Sequence, residues 1–129
     1  MSTILIVEDD RHTRDGLCEL LRSEGYDVNY ARTASAALLK LDSRVALLLS
    51  DLKLPNFSGL ELCEKVMKRN PDLKSIIMTA YTSEEVYKKA KKVGVYSWLA
   101  KPLDIDLLFK LVADVLSSVP VAKTDVSIV

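Results

Sequence analysis

Ile4-Leu5-Ile6-Val7-Glu8-Asp9-Asp10 is a short apolar run that stops abruptly at three acids. Four apolar residues are too few for a buried helix and read as a strand. Runs of the same kind recur around Val28 and Tyr30, and over residues 45–49, 76–78 and 95–99. Between them the apolar residues take helical spacing. Leu17, Leu20 and Leu21 mark a first helix that stops at Gly25, and Ala34, Ala37, Leu38 and Leu41 mark a second. Leu60, Cys63, Val66 and Met67 mark a third, closed by Asn70-Pro71. Val86, Ala90 and Val93 mark a fourth, with Thr82 and Glu85 spaced as a capping box. Leu107, Leu108, Leu111, Val112 and Val115 mark a fifth. Strands alternating with helices predict βαβ units, hence a parallel sheet covered on both faces. The first and third runs are almost wholly apolar, as strands buried on both sides are. Tyr26-Asp27-Val28-Asn29-Tyr30 alternates in polarity and suits an edge.

With 129 residues, 49% hydrophobic and 28% charged, the chain has the size and composition of one globular domain. Eighteen basic residues balance eighteen acidic ones, so broad, non-specific nucleic-acid binding by excess positive charge is not expected. No apolar stretch approaches the roughly 20 residues needed to cross a bilayer. The N-terminus turns acidic too soon for a signal peptide, and Cys18 and Cys63 alone imply no oxidising compartment. A cytoplasmic domain over residues 1–117 is expected. Residues 118–129, where the helical period is lost, read as a tail or a linker to a further domain.

The polar residues fall where the strands end. The first strand runs into Glu8, Asp9 and Asp10, the third into Asp51, the fourth into Thr79 and the fifth into Lys101-Pro102. In parallel sheets, ligands collect at the carboxyl ends of strands beside the point where strand order reverses. Glu8, Asp9 and Asp51 against Lys101 would leave such a rim with excess negative charge. A hard divalent cation with oxygen ligands, Mg²⁺, would relieve it. Asp10 is the exception, because it stands where it would cap the first helix. Asp51 is followed by Leu52-Lys53-Leu54-Pro55, read as a loop, so helix capping does not account for it.

Four segments at these strand ends form a pattern: Ile4-Leu5-Ile6-Val7-Glu8-Asp9-Asp10, Asp51-Leu52-Lys53-Leu54-Pro55-Asn56-Phe57-Ser58-Gly59, Met78-Thr79-Ala80-Tyr81, and Trp98-Leu99-Ala100-Lys101-Pro102. In this the chain resembles the receiver domain of two-component response regulators over roughly residues 3 to 116. The resemblance implies a doubly wound, flavodoxin-like α/β fold: five parallel strands in the order 2-1-3-4-5, with five helices. It implies that Asp51 is the phosphoacceptor, attacking a phosphohistidine on a sensor histidine kinase or a phosphotransfer protein. Asp9, Asp51 and the backbone carbonyl of Lys53 would bind Mg²⁺, with Glu8, in place of the commoner aspartate, supporting it. Lys101 and the Thr79 hydroxyl would meet the phosphoryl oxygens, and Thr79 with Trp98 would form the switch. Lys53 and Tyr81 stand at positions that govern access of water to the acyl phosphate. A cis bond is expected before Pro102. The family's fourth helix, fifth strand and fifth helix form a dimer or output face, and Met78-Thr79-Ala80-Tyr81 is similar to receivers of transcriptional activators.

Several residues have plainer readings. Cys18 and Cys63 lie on apolar stripes and read as core. His12 is the only histidine and lacks a helical-bundle setting for phosphotransfer. Lys88, Lys89, Lys91 and Lys92 form a basic face that is either solvated or a docking surface. The apolar residues of the fifth helix span about 200° of arc, wider than the core stripe of roughly 100° that one sheet face needs. A dimer contact or packing by the tail would account for the excess. Two other functions would need different motifs. A phosphohydrolase of the haloacid-dehalogenase kind would carry Asp-x-Asp after its first strand, whereas Asp51-Leu52-Lys53 follows the third. A flavodoxin-like cofactor carrier would need a glycine-rich phosphate loop, which four glycines do not form here.

Overall fold

The computed structural model describes residues 2–81 and 83–117. In chain order the elements are β1 Thr3–Val7, α1 Arg11–Ser23, β2 Asp27–Ala31, α2 Ala34–Lys40 and β3 Val45–Asp51, then β4 Lys53–Leu54, β5 Phe57–Ser58, α3 Gly59–Arg69 and β6 Lys74–Thr79, and finally α4 Glu84–Val93, β7 Ser97–Ala100 and α5 Ile105–Ser117. Five of the strands form one parallel sheet in the order β2-β1-β3-β6-β7. That is the expected order once the short β4-β5 pair is set aside. The polarity of the second strand placed it correctly at an edge.

Burial explains the sheet. All of β1 is buried, and its residues alternate between two cores. Leu5 and Val7 join Ala37, Cys63, Val66 and Ala90 beneath α2, α3 and α4. Ile4 and Ile6 join Leu17, Cys18, Leu21, Leu108 and Val112 beneath α1 and α5. Successive strand residues face opposite ways, so a run that is apolar at every position needs cover on both sides. Both cysteines are buried, as expected, and burial pushes the Cys63 thiol up to about 11.

The helix ends follow local chemistry. Asp10 caps α1: its Oδ2 accepts the Thr13 N–H at 2.9 Å and the Thr13 hydroxyl at 2.8 Å. Those two hydrogen bonds hold its carboxyl below the usual range. Gly25, at φ +91°, ends the turn after α1. Helix α4 is capped by Ser83, whose Oγ accepts the Val86 N–H at 3.1 Å. Thr82, the expected cap, lies outside the described residues.

Two expectations are corrected. Residues 52–55 are not simply a loop: Lys53 and Leu54 pair antiparallel with Ser58 and Phe57 across a tip at Pro55-Asn56. Asn56 takes φ +57°, which asparagine tolerates better than most residues. The wide apolar arc of α5 is mostly covered by the molecule itself. Leu108, Val112 and Val115 are buried, Ile105, Phe109, Leu111 and Leu116 pack half-buried against the same core, and Leu107 alone among these is exposed, at 42%. Residues 118–129, expected to be a tail or linker, lie outside the described residues. Among the described residues no helix is long and apolar enough to cross a membrane.

Candidate functional site

The chain leaves β1 toward β2 on one side and returns to β3 on the other, so strand order reverses between β1 and β3. A crevice forms there at the carboxyl ends. Glu8 follows β1, Asp51 closes β3, Thr79 closes β6 and Lys101 follows β7. Lys101 Nζ lies 2.9 Å from Glu8 Oε1 and 3.2 Å from Asp51 Oδ1, joining residues 93 and 50 positions apart in sequence. The Glu8 side chain is 2% exposed, that of Asp51 16% and that of Lys101 27%.

A buried carboxylate and a half-buried one share one ammonium, and the electrostatics follow. Burial raises the pKa of Asp51, and the charge of Glu8 raises it further against the opposing pull of Lys101. For Lys101 burial works toward the neutral form, but the hydrogen bond and charge of Glu8, joined by Asp51, outweigh it and its pKa is raised. The site therefore retains its cation and remains short of positive charge. The Lys101–Pro102 peptide bond is cis, as expected. The Lys101 N–H donates to Thr79 O at 2.8 Å, tying the lysine's backbone to the end of β6.

Asp51 is held from several sides. The Leu52 N–H donates to Met78 O at 2.9 Å and the Gly59 N–H to Leu52 O at 2.6 Å. A Cβ on Gly59 would overlap Asp51 O and lie 3.1 Å from both Asp51 C and Leu52 Cα. Gly59 thus owes its place to close backbone approach and not to an unusual φ. It belongs to the quoted motif, yet only the folded chain shows what it touches.

Thr79 is buried, and its hydroxyl is engaged with backbone. The Tyr81 N–H donates to Thr79 Oγ1 at 2.9 Å, and that hydroxyl donates to Tyr81 O at 3.2 Å. Tyr81 in turn lies under the Lys53 ammonium, 4.0 Å from the ring centroid, so the two residues expected to govern water access touch one another. Trp98 is half-buried and meets Tyr87 edge to face, with centroids 5.9 Å apart at 77°.

The three expected metal-facing acids are not gathered as a trio. Among the described residues no group of three His, Cys, Asp or Glu side chains is close enough to hold a metal ion. The reason is local. Glu8 Oε1 accepts from the Lys101 ammonium and Oε2 from the Asp10 N–H at 3.1 Å, while Asp9 is exposed. The donor atoms there are hard oxygens, the kind that Mg²⁺ takes. Sequence reasoning also passed over Arg14. Its signal was its position, three and four residues before Leu17 and Cys18 on the apolar stripe of α1.

Replacing Lys101 with Met is expected to cost roughly 2–3 kcal/mol, because it leaves the buried Glu8 carboxylate without its charged partner and only the Asp10 N–H on Oε2. Urea unfolding at neutral pH measures this. A double variant that also carries Glu8→Gln should recover part of the loss, since it removes the stranded charge.

The chain is similar to known proteins along nearly its whole described length. The family model for the response regulator receiver domain matches residues 4–113. The transcriptional regulatory protein ZraR of Klebsiella oxytoca is 34% identical over 125 residues, covering 96% of this chain but 28% of that protein. The chain thus spans little more than a quarter of that relative. Sporulation initiation phosphotransferase F of Bacillus subtilis is 35% identical over 104 residues, 80% of this chain and 84% of that one. A CheY-like receiver domain from Methanospirillum hungatei superposes with a TM-score of 0.83 at 36% identity, covering 91% and 95% of the two chains. The lysine bridge across the strand ends, the parallel order around it and these likenesses agree: this chain belongs to the response regulator receiver domain family, the signalling switches of two-component systems.

Proposed function

We propose that Asp51 accepts a phosphoryl group from a phosphohistidine on a sensor histidine kinase or phosphotransfer protein. The observation that carries this reading is the Lys101 ammonium held 3.2 Å from Asp51 Oδ1 at the strand-order reversal. The transfer breaks the P–N bond and forms an O–P bond to Asp51, and the departing imidazole keeps the electron pair and takes a proton. Carboxylates serve elsewhere as covalent acceptors of phosphoryl groups. An anionic nucleophile meeting an anionic donor needs positive charge in place beforehand, and Lys101 supplies part of it.

Glu8, Asp9, Asp51 and the carbonyl of Lys53 would hold Mg²⁺. Held there, the ion would supply positive charge against the phosphoryl oxygens. Asp9 and Glu8 fix the negative edge of the site, and Lys101 opposes it. In the modified state the phosphoryl group, at about −2 charge, competes with the backbone of Tyr81 for the Thr79 hydroxyl. Movement of Thr79 would alter the packing of Trp98 and so the face made by α4, β7 and α5. That face carries exposed Tyr87 and Tyr96 as well as Leu107. It would serve a homodimer or an output domain, transcriptional in character as in ZraR, with residues 118–129 as tail or linker beyond a receiver over 1–117. The domain itself binds no nucleic acid in this reading, works in the cytoplasm, and turns over no substrate besides its own acyl phosphate.

Incubation with acetyl phosphate or a phosphorylated kinase tests the proposal. With Mg²⁺ the chain should gain one phosphoryl group that hydroxylamine removes, and chelation of the metal should stop the gain. A label that forms equally well in chelator, or that survives hydroxylamine, contradicts an aspartyl phosphate.

A further inference from the structure

Arg14 is a charged residue in a place made for an apolar one. It stands on the inner stripe of α1, and its side chain is 8% exposed. A leucine there would pack without the cost of burying a cation. Its side-chain hydrogen bonds go to one segment. Arg14 Nη1 donates to the carbonyl of Glu8 at 3.3 Å and to that of Asp9 at 3.4 Å. The guanidinium carbon lies 5.2 Å from the centre of the Tyr30 ring. Nε makes no hydrogen bond, its nearest acid being Asp15 Oδ1 at 3.9 Å.

The acidic turn between β1 and α1 touches β2 only at its first residue and is otherwise held by bonds within itself and to α1. The Glu8 N–H reaches Ala31 O at 3.1 Å, the Asp10 N–H reaches Glu8 Oε2 at 3.1 Å, and the Asp10 side chain caps α1. Two successive carbonyls drawn to one guanidinium set the peptide planes on either side of Asp9. Those planes decide whether the Asp10 N–H meets the Glu8 carboxylate, and hence whether Glu8 stays on Lys101. We infer that Arg14 is a positioning residue: it holds the Glu8-Asp9 backbone in the shape that keeps the Glu8 carboxylate on Lys101 at the phosphoryl site. The inference rests on the phosphoacceptor reading for its purpose, but not for its geometry. A lysine keeps the positive charge but carries it on a flexible stem, without the planar guanidinium that stacks over Tyr30.

The experiment titrates the full chain with Mg²⁺ alone, followed by amide NMR shifts, and measures amide exchange in parallel. Supporting groups behind metal ligands typically change metal affinity about 10- to 100-fold when removed, so Arg14→Met should weaken Mg²⁺ binding by roughly tenfold. Arg14→Lys should recover part of it. The Asp10 amide should exchange faster in Arg14→Met by more than the change in global stability accounts for. Tyr30→Leu, which removes the ring but leaves both donors, should bind Mg²⁺ like the wild type. A merely structural role in α1 would lower stability and quicken exchange along the whole helix, with Mg²⁺ affinity and the excess at Asp10 unmoved. That result overturns the inference. Should the wild type itself bind no Mg²⁺, the phosphoacceptor reading fails, and the Asp10 exchange still decides the role of Arg14.

Discussion

Asp51→Asn should abolish phosphoryl labelling while leaving a folded chain that is more stable than the wild type at neutral pH. The amide keeps the shape of the carboxylate but offers no anionic oxygen to attack phosphorus. Folding has no need of the charge. Lys101 retains its 2.9 Å bond to Glu8, and the backbone contacts of Leu52 are untouched. The stability gain follows from protonation. Burial and the charge of Glu8 lift Asp51 above the ordinary aspartate value of 3.8, so between that value and its own higher one the folded state binds more protons than the unfolded state. Stability in the wild type therefore falls as pH rises through that window, and stays lower above it. Asparagine does not titrate, and the variant should lack this fall. Urea unfolding of both proteins across the acidic range reads the difference directly. If the wild type instead gained on the variant as pH rose, Asp51 would be a net stabilising ion-pair partner, and the charge-starved site described above would be wrong.

Gly59→Ala should be nearly as severe by a different route. The new methyl would overlap the carbonyl oxygen of Asp51, a backbone atom with no flexible end to yield. Overpacking typically costs 1–3 kcal/mol, and a clash with backbone on both sides of the strand-to-hairpin turn belongs at or beyond the top of that range, about 3 kcal/mol. Relief requires either the turn after β3 or the first turn of α3 to move. Moving the former carries Asp51 away from Lys101, so labelling should fall sharply even where the variant still folds. Gly16→Ala is the comparison, because nothing lies within 4 Å of a Cβ there and alanine favours a helix interior. It should be neutral or slightly stabilising. Thermal unfolding and acetyl phosphate labelling of the two variants side by side separate the effect of the site from that of a glycine replacement in general.

Strands were legible wherever one residue type repeated at every position. Ile4 to Val7 and the run that reaches Leu49 demanded two covered faces, and the alternation around Val28 demanded one. Asp10 could be read as a cap because capping is local, settled within four residues. The limits of local reading appear at Leu54 and Phe57, whose two-residue pairing leaves no periodicity, and at α5. There the apolar arc looked too wide only because half-burial of Phe109, Leu111 and Leu116 leaves no trace in the sequence. The spacing of Thr82 and Glu85 pointed to Thr82 as the cap of α4, whereas the structure uses Ser83, because which hydroxyl turns to the Val86 N–H depends on the backbone before the helix.

The order of residues by itself determined that Glu8, Asp51, Thr79 and Lys101 share one rim, since each follows a strand and parallel strands end together. It did not determine which of them touch. Contacts depend on how far each strand is shifted against its neighbour and how each side chain turns, and those are settled by packing among residues far apart in sequence. Tertiary structure alone decided that one ammonium spans Glu8 and Asp51, that Asp9 stands apart in solvent, and that Thr79 answers to Tyr81. It alone showed that Arg14 is buried and which carbonyls it meets, because a helix stripe names what is covered and not what it covers.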